Sequence, residues 1–237
     1  MIEKGFKFID LFCGIGGFHQ AMSSLGGECV FASDIDKHCQ ETYFENYGIR
    51  PIGDITKVDA VDIPSFNVLC AGFPCQAFSL AGKKLGFADE TRGTLFFDVI
   101  RIAKHHKPEY MLLENVKNLA NHDEGRTWNV IYNTIREIGY NVLSEPVIFS
   151  PHYLGIPQTR ERVFIMCVRE DIGSVPEFKF DKKDIPECDP WAYIQDDDEI
   201  ENIEAYRIPK RYEELCNHWD KLIKIYGGEL PCPTINA

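Results

Sequence analysis

Cys75 lies in Gly72-Phe73-Pro74-Cys75-Gln76-Ala77-Phe78-Ser79, directly after an apolar run, Asn67–Phe73, that reads as a buried strand. A cysteine on the loop leaving such a strand can be exposed, and as a thiolate it is a nucleophile. Cys70, inside the run, reads instead as a buried structural thiol. Glu114-Asn115-Val116 closes a second buried run. A carboxyl group in apolar surroundings is biased towards its protonated form and can then donate a proton or hydrogen bond at neutral pH. On the residues alone, a helix cap or a surface carboxylate fits Glu114 equally well. Gln158-Thr159-Arg160-Glu161-Arg162-Val163-Phe164 runs into the last apolar strand. Arg160 and Arg162 alternate with Glu161, so they share one face of an extended segment. They could bind an anionic or developing negative charge, or form surface ion pairs.

A second set of residues suits a ligand. Asp10-Leu11-Phe12-Cys13-Gly14-Ile15-Gly16-Gly17-Phe18 places a glycine turn between a strand and a helix, where backbone can approach a ligand closely and the helix N-terminus faces it. The dinucleotide fingerprint G-x-G-x-x-G needs a third glycine where this chain has His19, which weakens a dehydrogenase reading. Asp34 ends the second strand, where such folds set an acid against ribose hydroxyls. Asp54, in Gly53-Asp54-Ile55, can accept a hydrogen bond from an adenine amino group.

Positioning these residues requires alternating strands and helices. The sequence predicts strands at Phe8–Phe12, Cys29–Ser33, Asn67–Phe73, Tyr110–Glu114, Asn141–Ser150 and Arg162–Arg169, the last two able to pair. It predicts helices at Gly17–Leu25, Asp36–Asn46, Thr94–His106 and Arg126–Ile138. Repeated β-α units imply an α/β fold, a mostly parallel sheet covered on both faces. Beyond Arg169 the pattern changes: residues 179–190 are charged and punctuated by proline, Asp196–Glu199 is an acidic cluster, and Lys210–Ile225 has helical spacing.

Composition narrows the classes. Nine cysteines without a C-x-x-C pair argue against a disulfide framework and against a zinc site, and point to reduced thiols in a cytoplasmic protein. No apolar run is long enough to span a bilayer, and the N-terminus lacks the pattern of a signal peptide. The net charge of −12 is unusual for a nucleic-acid binder. It is uneven: residues 171–237 hold 16 acids and 8 bases, and residues 1–170 hold 21 and 17, so a strongly basic DNA grip is at most local.

The segments FIDLFCGIGGF, GFPCQAFS, ENV and QTRERVF, with GDIT and TRGTLFFDVIRI between them, resemble the ordered motifs of the cytosine-5 DNA methyltransferases of bacterial restriction–modification systems. The likeness covers about residues 7–169. It implies a Rossmann-like, S-adenosylmethionine-dependent methyltransferase fold with a terminal antiparallel strand. It implies methyl transfer to carbon 5 of a cytosine flipped out of double-stranded DNA, with S-adenosylhomocysteine as product. Carried over residue by residue, Cys75 is the nucleophile, Glu114 the acid at ring nitrogen 3, and Arg162 the partner of the exocyclic oxygen. Arg160 supports the pocket or a phosphate, while Asn115 and Pro74 shape the site. For the cofactor, the resemblance assigns Asp10, Phe12, Gly14, Ile15, Gly16, Gly17 and Phe18 to the glycine loop. It assigns Asp34 and Ile35 to ribose and adenine, Asp54 and Ile55 to adenine, Pro74 to the methionine part, and Leu95 to the cofactor pocket. It implies no metal and no membrane. An RNA-directed relative and a non-catalytic DNA-binding subunit that keeps the fold are the rival readings.

The chain departs from the family pattern in three ways. Asp34 replaces the more common Glu, and Ile35 replaces a stacking Trp, so apolar contact takes the place of stacking. The third is that the family's target-recognition region and final motifs are expected to follow the last residues read here. The resulting expectation is a catalytic domain over residues 1–170, followed by a linker and the start of a smaller domain over 171–237. Recognition is then carried by a second polypeptide or by the rest of a longer chain, and the chain alone is weakly active or inactive.

Overall fold

The computed structural model describes residues 5–74, 95–156 and 158–177, together with a two-residue strand at Cys232–Pro233. Cys75 and the expected helix at Lys210–Ile225 lie outside the described residues. The chain divides into two units: residues 1–148 with 162–178, and residues 149–161 with 179–237.

The first unit is built on β1 (Lys7–Leu11), β2 (Glu28–Ser33), β3 (Val68–Gly72), β4 (Tyr110–Val116), β5 (Tyr140–Val142) and β8 (Arg162–Arg169), in the spatial order β2-β1-β3-β4-β8-β5, with β6 (Val147–Phe149) also pairing with β8. β1 to β4 are mutually parallel, and β8 runs antiparallel to both β4 and β5. The antiparallel strand is thus last in the unit's chain order but internal in the sheet.

Alternation along the strands sends side chains to two faces. Ile9 and Leu11 of β1, Leu69 and Ala71 of β3, Met111 and Leu113 of β4, and Val163, Ile165 and Cys167 of β8 form the larger core. It is covered by α3 (Leu95–His106), through Phe96, Val99, Ile100 and Ala103, and by α4 (Arg126–Glu137), through Trp128, Ile131 and Ile135. The opposite face carries Phe8, Val68 and Cys70 against Met22 of α1 (Gly17–Ser24), and Ala32 against Tyr43 of α2 (Lys37–Tyr47). Helices therefore cover both faces, as the β-α alternation predicts.

Local chemistry sets the element ends. Asp36 caps α2 by accepting the backbone N–H of His38 and Cys39 at 2.7 and 3.2 Å, and Gly48 ends it at φ 70°. The expected strand Asn141–Ser150 is two short strands, broken over residues 143–146. Pro146 lacks the N–H that a ladder needs, and Trp128 Nε1 donates to the carbonyl of Ser144 at 2.8 Å, holding the break in place.

In the second unit a 3-10 turn, Pro151–Leu154, precedes β7 (Gln158–Thr159), which pairs in parallel with β9 (Cys232–Pro233). Among the described residues no helix is long and apolar enough to cross a membrane.

Candidate functional site

The parallel strands deliver their last residues to one edge of the sheet: Phe12 after β1, Asp34 after β2, Phe73 and Pro74 after β3, and Glu114 to Val116 at the end of β4. Because β8 is antiparallel, its first residue, Arg162, lies opposite Val116 at the same edge. Open α/β sheets hold their ligands at this edge.

The glycine loop is tightly specified. Phe12 has a left-handed backbone at φ 56°, uncommon for a non-glycine residue and a sign of surroundings that enforce it. Gly14 and Gly16 have φ 53° and 97°. The Gly14 N–H donates to Asp34 Oδ2 at 2.8 Å, and the Asp36 N–H donates to Oδ1 at 2.9 Å, so Asp34 links the loop to the start of α2. Gln40 Nε2 donates to the Asp34 carbonyl at 2.6 Å. A Cβ on Gly16 would fall 2.1 Å from Tyr47 Cε2, and the Tyr47 hydroxyl donates to the Gly16 carbonyl at 3.0 Å.

Under the loop lies a buried polar cluster. The Tyr47 ring stacks on His19 at 3.9 Å, and His19 Nδ1 is 2.7 Å from the Tyr43 hydroxyl. The Tyr43 hydroxyl is 3.5 Å from Asp10 Oδ2. Asp10 is fully buried, its carboxyl accepts the backbone N–H of His19 near the start of α1, and its Oδ1 has no hydrogen-bond partner. Burial pushes this carboxyl from an ordinary 3.8 to about 8, against the lowering effect of the bonds from His19 and Tyr43. Asp10 therefore serves the loop from beneath. The sequence singles out neither Tyr43 nor Tyr47, although their four-residue spacing places them on one helix face, and it reads His19 only as a missing glycine.

On the outer side, Gly14 has open space where a Cβ would stand, and Ile15 and Ile35 are 63% and 74% exposed. Large apolar side chains at that exposure beside a glycine loop fit an apolar ligand surface. Asp54 starts the 3-10 turn Ile55–Lys57 and accepts the Thr56 N–H at 3.1 Å and the Thr56 hydroxyl at 2.7 Å, with Lys57 Nζ 3.4 Å from its second oxygen. These bonds hold its carboxyl below the usual carboxylate range. Ile55 is buried, Gly17 is exposed, and Phe18 is half-buried against the α1 face of the sheet. Loop, acids and exposed isoleucines together suit a nucleoside carrying a charged tail, and the residues fit S-adenosylmethionine.

The other half of the edge carries side-chain chemistry. Glu114 faces Phe164 across the β4–β8 ladder and Arg162 faces Val116, so Glu114 and Arg162 are diagonal neighbours on one face. Arg162 Nε lies 3.1 Å from Glu114 Oε1, with the two side chains 21% and 27% exposed. Glu114 is thus an ion-pair partner reached in part by solvent, between the apolar-site acid and the surface carboxylate that the sequence left open. Gly72 stands opposite Glu114 on β3, and a Cβ there would come to 3.4 Å from Glu114 Oε2, in contact with it. Asn115 is 2% exposed; its Nδ2 donates to the Phe73 carbonyl at 2.7 Å, fixing the end of β4 to the exit of β3 just before Pro74. Pro74 is exposed, and Leu95 opens α3 against the larger core. Arg160 falls in the second unit, where its N–H donates to Ser150 Oγ at 3.1 Å.

Comparison with known proteins decides the family. The family described as C-5 cytosine-specific DNA methylase matches residues 6–225. This chain belongs to that family. The type II methyltransferase M.HhaI of Haemophilus parahaemolyticus is 49% identical over 178 residues, covering 75% of this chain and 53% of the relative. The type II methyltransferase M.DsaV of Dactylococcopsis salina is 50% identical over 214 residues, covering 90% and 59%. The chain thus spans about half the length of the curated relatives it matches. Among solved structures, the Dnmt2 methyltransferase of S. pombe superposes with TM-score 0.63 at 20% identity, covering 91% of this chain and 66% of that one, a likeness of fold. The methylase sheet described above, with its internal antiparallel strand, is accordingly a Rossmann-like methyltransferase fold.

Proposed function

We propose that the chain carries the catalytic and S-adenosylmethionine-binding core of a DNA (cytosine-5)-methyltransferase, with Cys75 as its nucleophile. The observation that carries this reading is the Glu114–Arg162 pair, 3.1 Å apart at the ligand edge and beside the β3 exit that leads to Cys75. An acid and a guanidinium side by side match the nitrogen and oxygen edge of a pyrimidine ring. A cytosine presents that edge only after leaving the duplex stack.

In this reading Cys75, as thiolate, forms a bond to ring carbon 6. Electrons move towards ring nitrogen 3, where Glu114 delivers a proton, while Arg162 donates to the exocyclic oxygen and stabilises the charge growing there. Carbon 5 becomes nucleophilic. S-adenosylmethionine supplies an electrophilic methyl group when bound, leaving S-adenosylhomocysteine. Water takes the proton from carbon 5, the electrons of that bond restore the ring double bond, the bond from sulfur to carbon 6 breaks, and Glu114 recovers its proton. Asn115, tied to the Phe73 carbonyl at 2.7 Å, and Pro74 shape the site, and Arg160 supports the pocket or a phosphate.

Phe12, Gly14, Ile15, Gly16, Gly17 and Phe18 form the cofactor loop in this reading, with Asp10 below it. Asp34 takes the ribose, Ile35, Asp54 and Ile55 the adenine, Pro74 the methionine part, and Leu95 lines the cofactor pocket. Double-stranded DNA is the substrate, beside the nucleoid in the cytoplasm, and site recognition is carried by a second polypeptide or by the rest of a longer chain.

The test is a covalent trap. Duplex DNA containing 5-fluorocytosine cannot lose a proton from carbon 5, so the complete enzyme should form a stable protein–DNA adduct that depends on S-adenosylmethionine. Cys75→Ser should form none and should lose methyl transfer. An adduct in the Cys75→Ser protein, or transfer of label to transfer RNA and not to DNA, would overturn the reading.

A further inference from the structure

The segment carrying Asp54 and Ile55 consists of two short 3-10 turns, Ile55–Lys57 and Ala60–Asp62. Turns this short leave most of their carbonyls without a partner inside the turn. The contacts of Asp54, to Thr56 and Lys57, lie within its own turn. They shape the turn without fixing it to the body of the protein. Its leading end is tied to β2, since the Ile52 N–H donates to the Ala32 carbonyl and the Asp34 N–H to the Ile52 carbonyl, each at 2.9 Å.

The trailing end is tied by side chains of α3. Arg101 Nη1 donates to the Val58 carbonyl at 3.0 Å and Nη2 to the Ile55 carbonyl at 3.1 Å. Asp98, one helical turn earlier, accepts from Arg101 Nε and Nη2 at 3.3 and 3.1 Å and aims the guanidinium. His106 Nε2 lies 2.8 Å from the Ala60 carbonyl in the second turn. A buried Ile55 side chain alone would let the turn pivot about one point. A planar fork gripping two carbonyls adds two more, in fixed geometry.

We propose that Arg101 is a positioning residue for nucleoside recognition: by gripping the carbonyls of Ile55 and Val58 it sets where the Asp54 carboxylate stands, without touching the ligand. The inference rests on the reading of Asp54 and Ile55 as the adenine site. Arg101→Met should weaken the binding of nucleoside ligands through Asp54, and Arg101→Lys, which keeps charge and reach to one carbonyl, should recover part of the loss.

The experiment measures binding of S-adenosylhomocysteine and of adenosine by calorimetry to the wild-type chain, Arg101→Met, Arg101→Lys, Asp54→Asn and the double variant Arg101→Met/Asp54→Asn. It is run well below the melting temperature of each. The expected result is about tenfold weaker binding in Arg101→Met, equal for both ligands, with partial recovery in Arg101→Lys. The double variant should bind no more weakly than the weaker single one, because both changes act through one group. Unchanged affinity in Arg101→Met, or losses that add in the double variant, would overturn the inference while leaving the adenine site standing. A wild-type chain that binds neither ligand would sink the adenine site and the inference with it. Should Arg101→Met fail to fold, Asp98→Asn, which frees the guanidinium's aim, gives the same readings.

Discussion

At the β1–β2 end of the sheet the ligand edge is backbone, held from below: Asp34 fixes Gly14, Tyr47 fixes Gly16, and a buried Asp10 accepts from the first turn of α1. At the β4–β8 end it is side chain, held across a ladder: Glu114 meets Arg162 in partial solvent, and Asn115 secures the neighbouring strand. The first arrangement commits conformational strain and a buried carboxyl to shape. The second keeps charged groups exposed enough to change partners. Mutations in the first half should therefore register in stability, and mutations in the second in turnover.

The largest effect expected from this contrast is in pH dependence. Asp10 keeps its proton up to about 8 in the fold but releases it near 3.8 when unfolded. Between these values the folded state binds more protons, so stability falls as pH rises through that window and levels off above it. The cost is on the order of 5 kcal/mol across the window. Asp10→Asn removes this slope, so its stability relative to wild type should climb from pH 4 to pH 8 in denaturant titrations. A difference that stays flat with pH would break the contrast.

Glu114→Gln should do the reverse. It keeps the shape and removes the acid, so kcat should fall by about a hundredfold or more, while the melting temperature falls only by a few degrees, because a partly exposed ion pair contributes about 1 kcal/mol. A large loss of stability with intact turnover would contradict the assignment of that edge to chemistry.

The glycine loop should give smaller effects, beginning with Gly16→Ala. Left-handed backbone and contact with Tyr47 should together cost about 2 kcal/mol, or a fall of about 4 to 8 °C in melting temperature, read by calorimetry. Gly14→Ala, with similar φ but open space beside it, should cost about half as much.

Much of this was legible in the sequence. The β-α alternation gave the sheet, and the glycine loop, Asp34 and Glu114 stand together at the carboxyl edge of its parallel strands. The diagonal pairing of Glu114 with Arg162 was not legible, because it depends on β8 entering between β4 and β5, a choice of sheet order that local periodicity does not encode. The cluster of Asp10, His19, Tyr43 and Tyr47 escaped for a related reason: aromatic residues on a helix face read as core, and only the fold shows them bearing on a loop. The grip of Arg101 was not legible either, because its acceptors are backbone carbonyls more than forty residues away. The single strand expected over Asn141–Ser150 failed at Pro146, where the missing donor outweighed the apolar pattern.

The described cysteines, Cys13, Cys29, Cys39, Cys70 and Cys167, are all free, and in each, burial pushes the thiol above its ordinary range. A sulfur that stays protonated reacts slowly with peroxide or with electrophilic metabolites. Oxidative stress would thus spare the scaffold and concentrate its damage wherever a thiolate is exposed. In such a protein, chemical inactivation would precede unfolding, leaving an intact body with a spent centre.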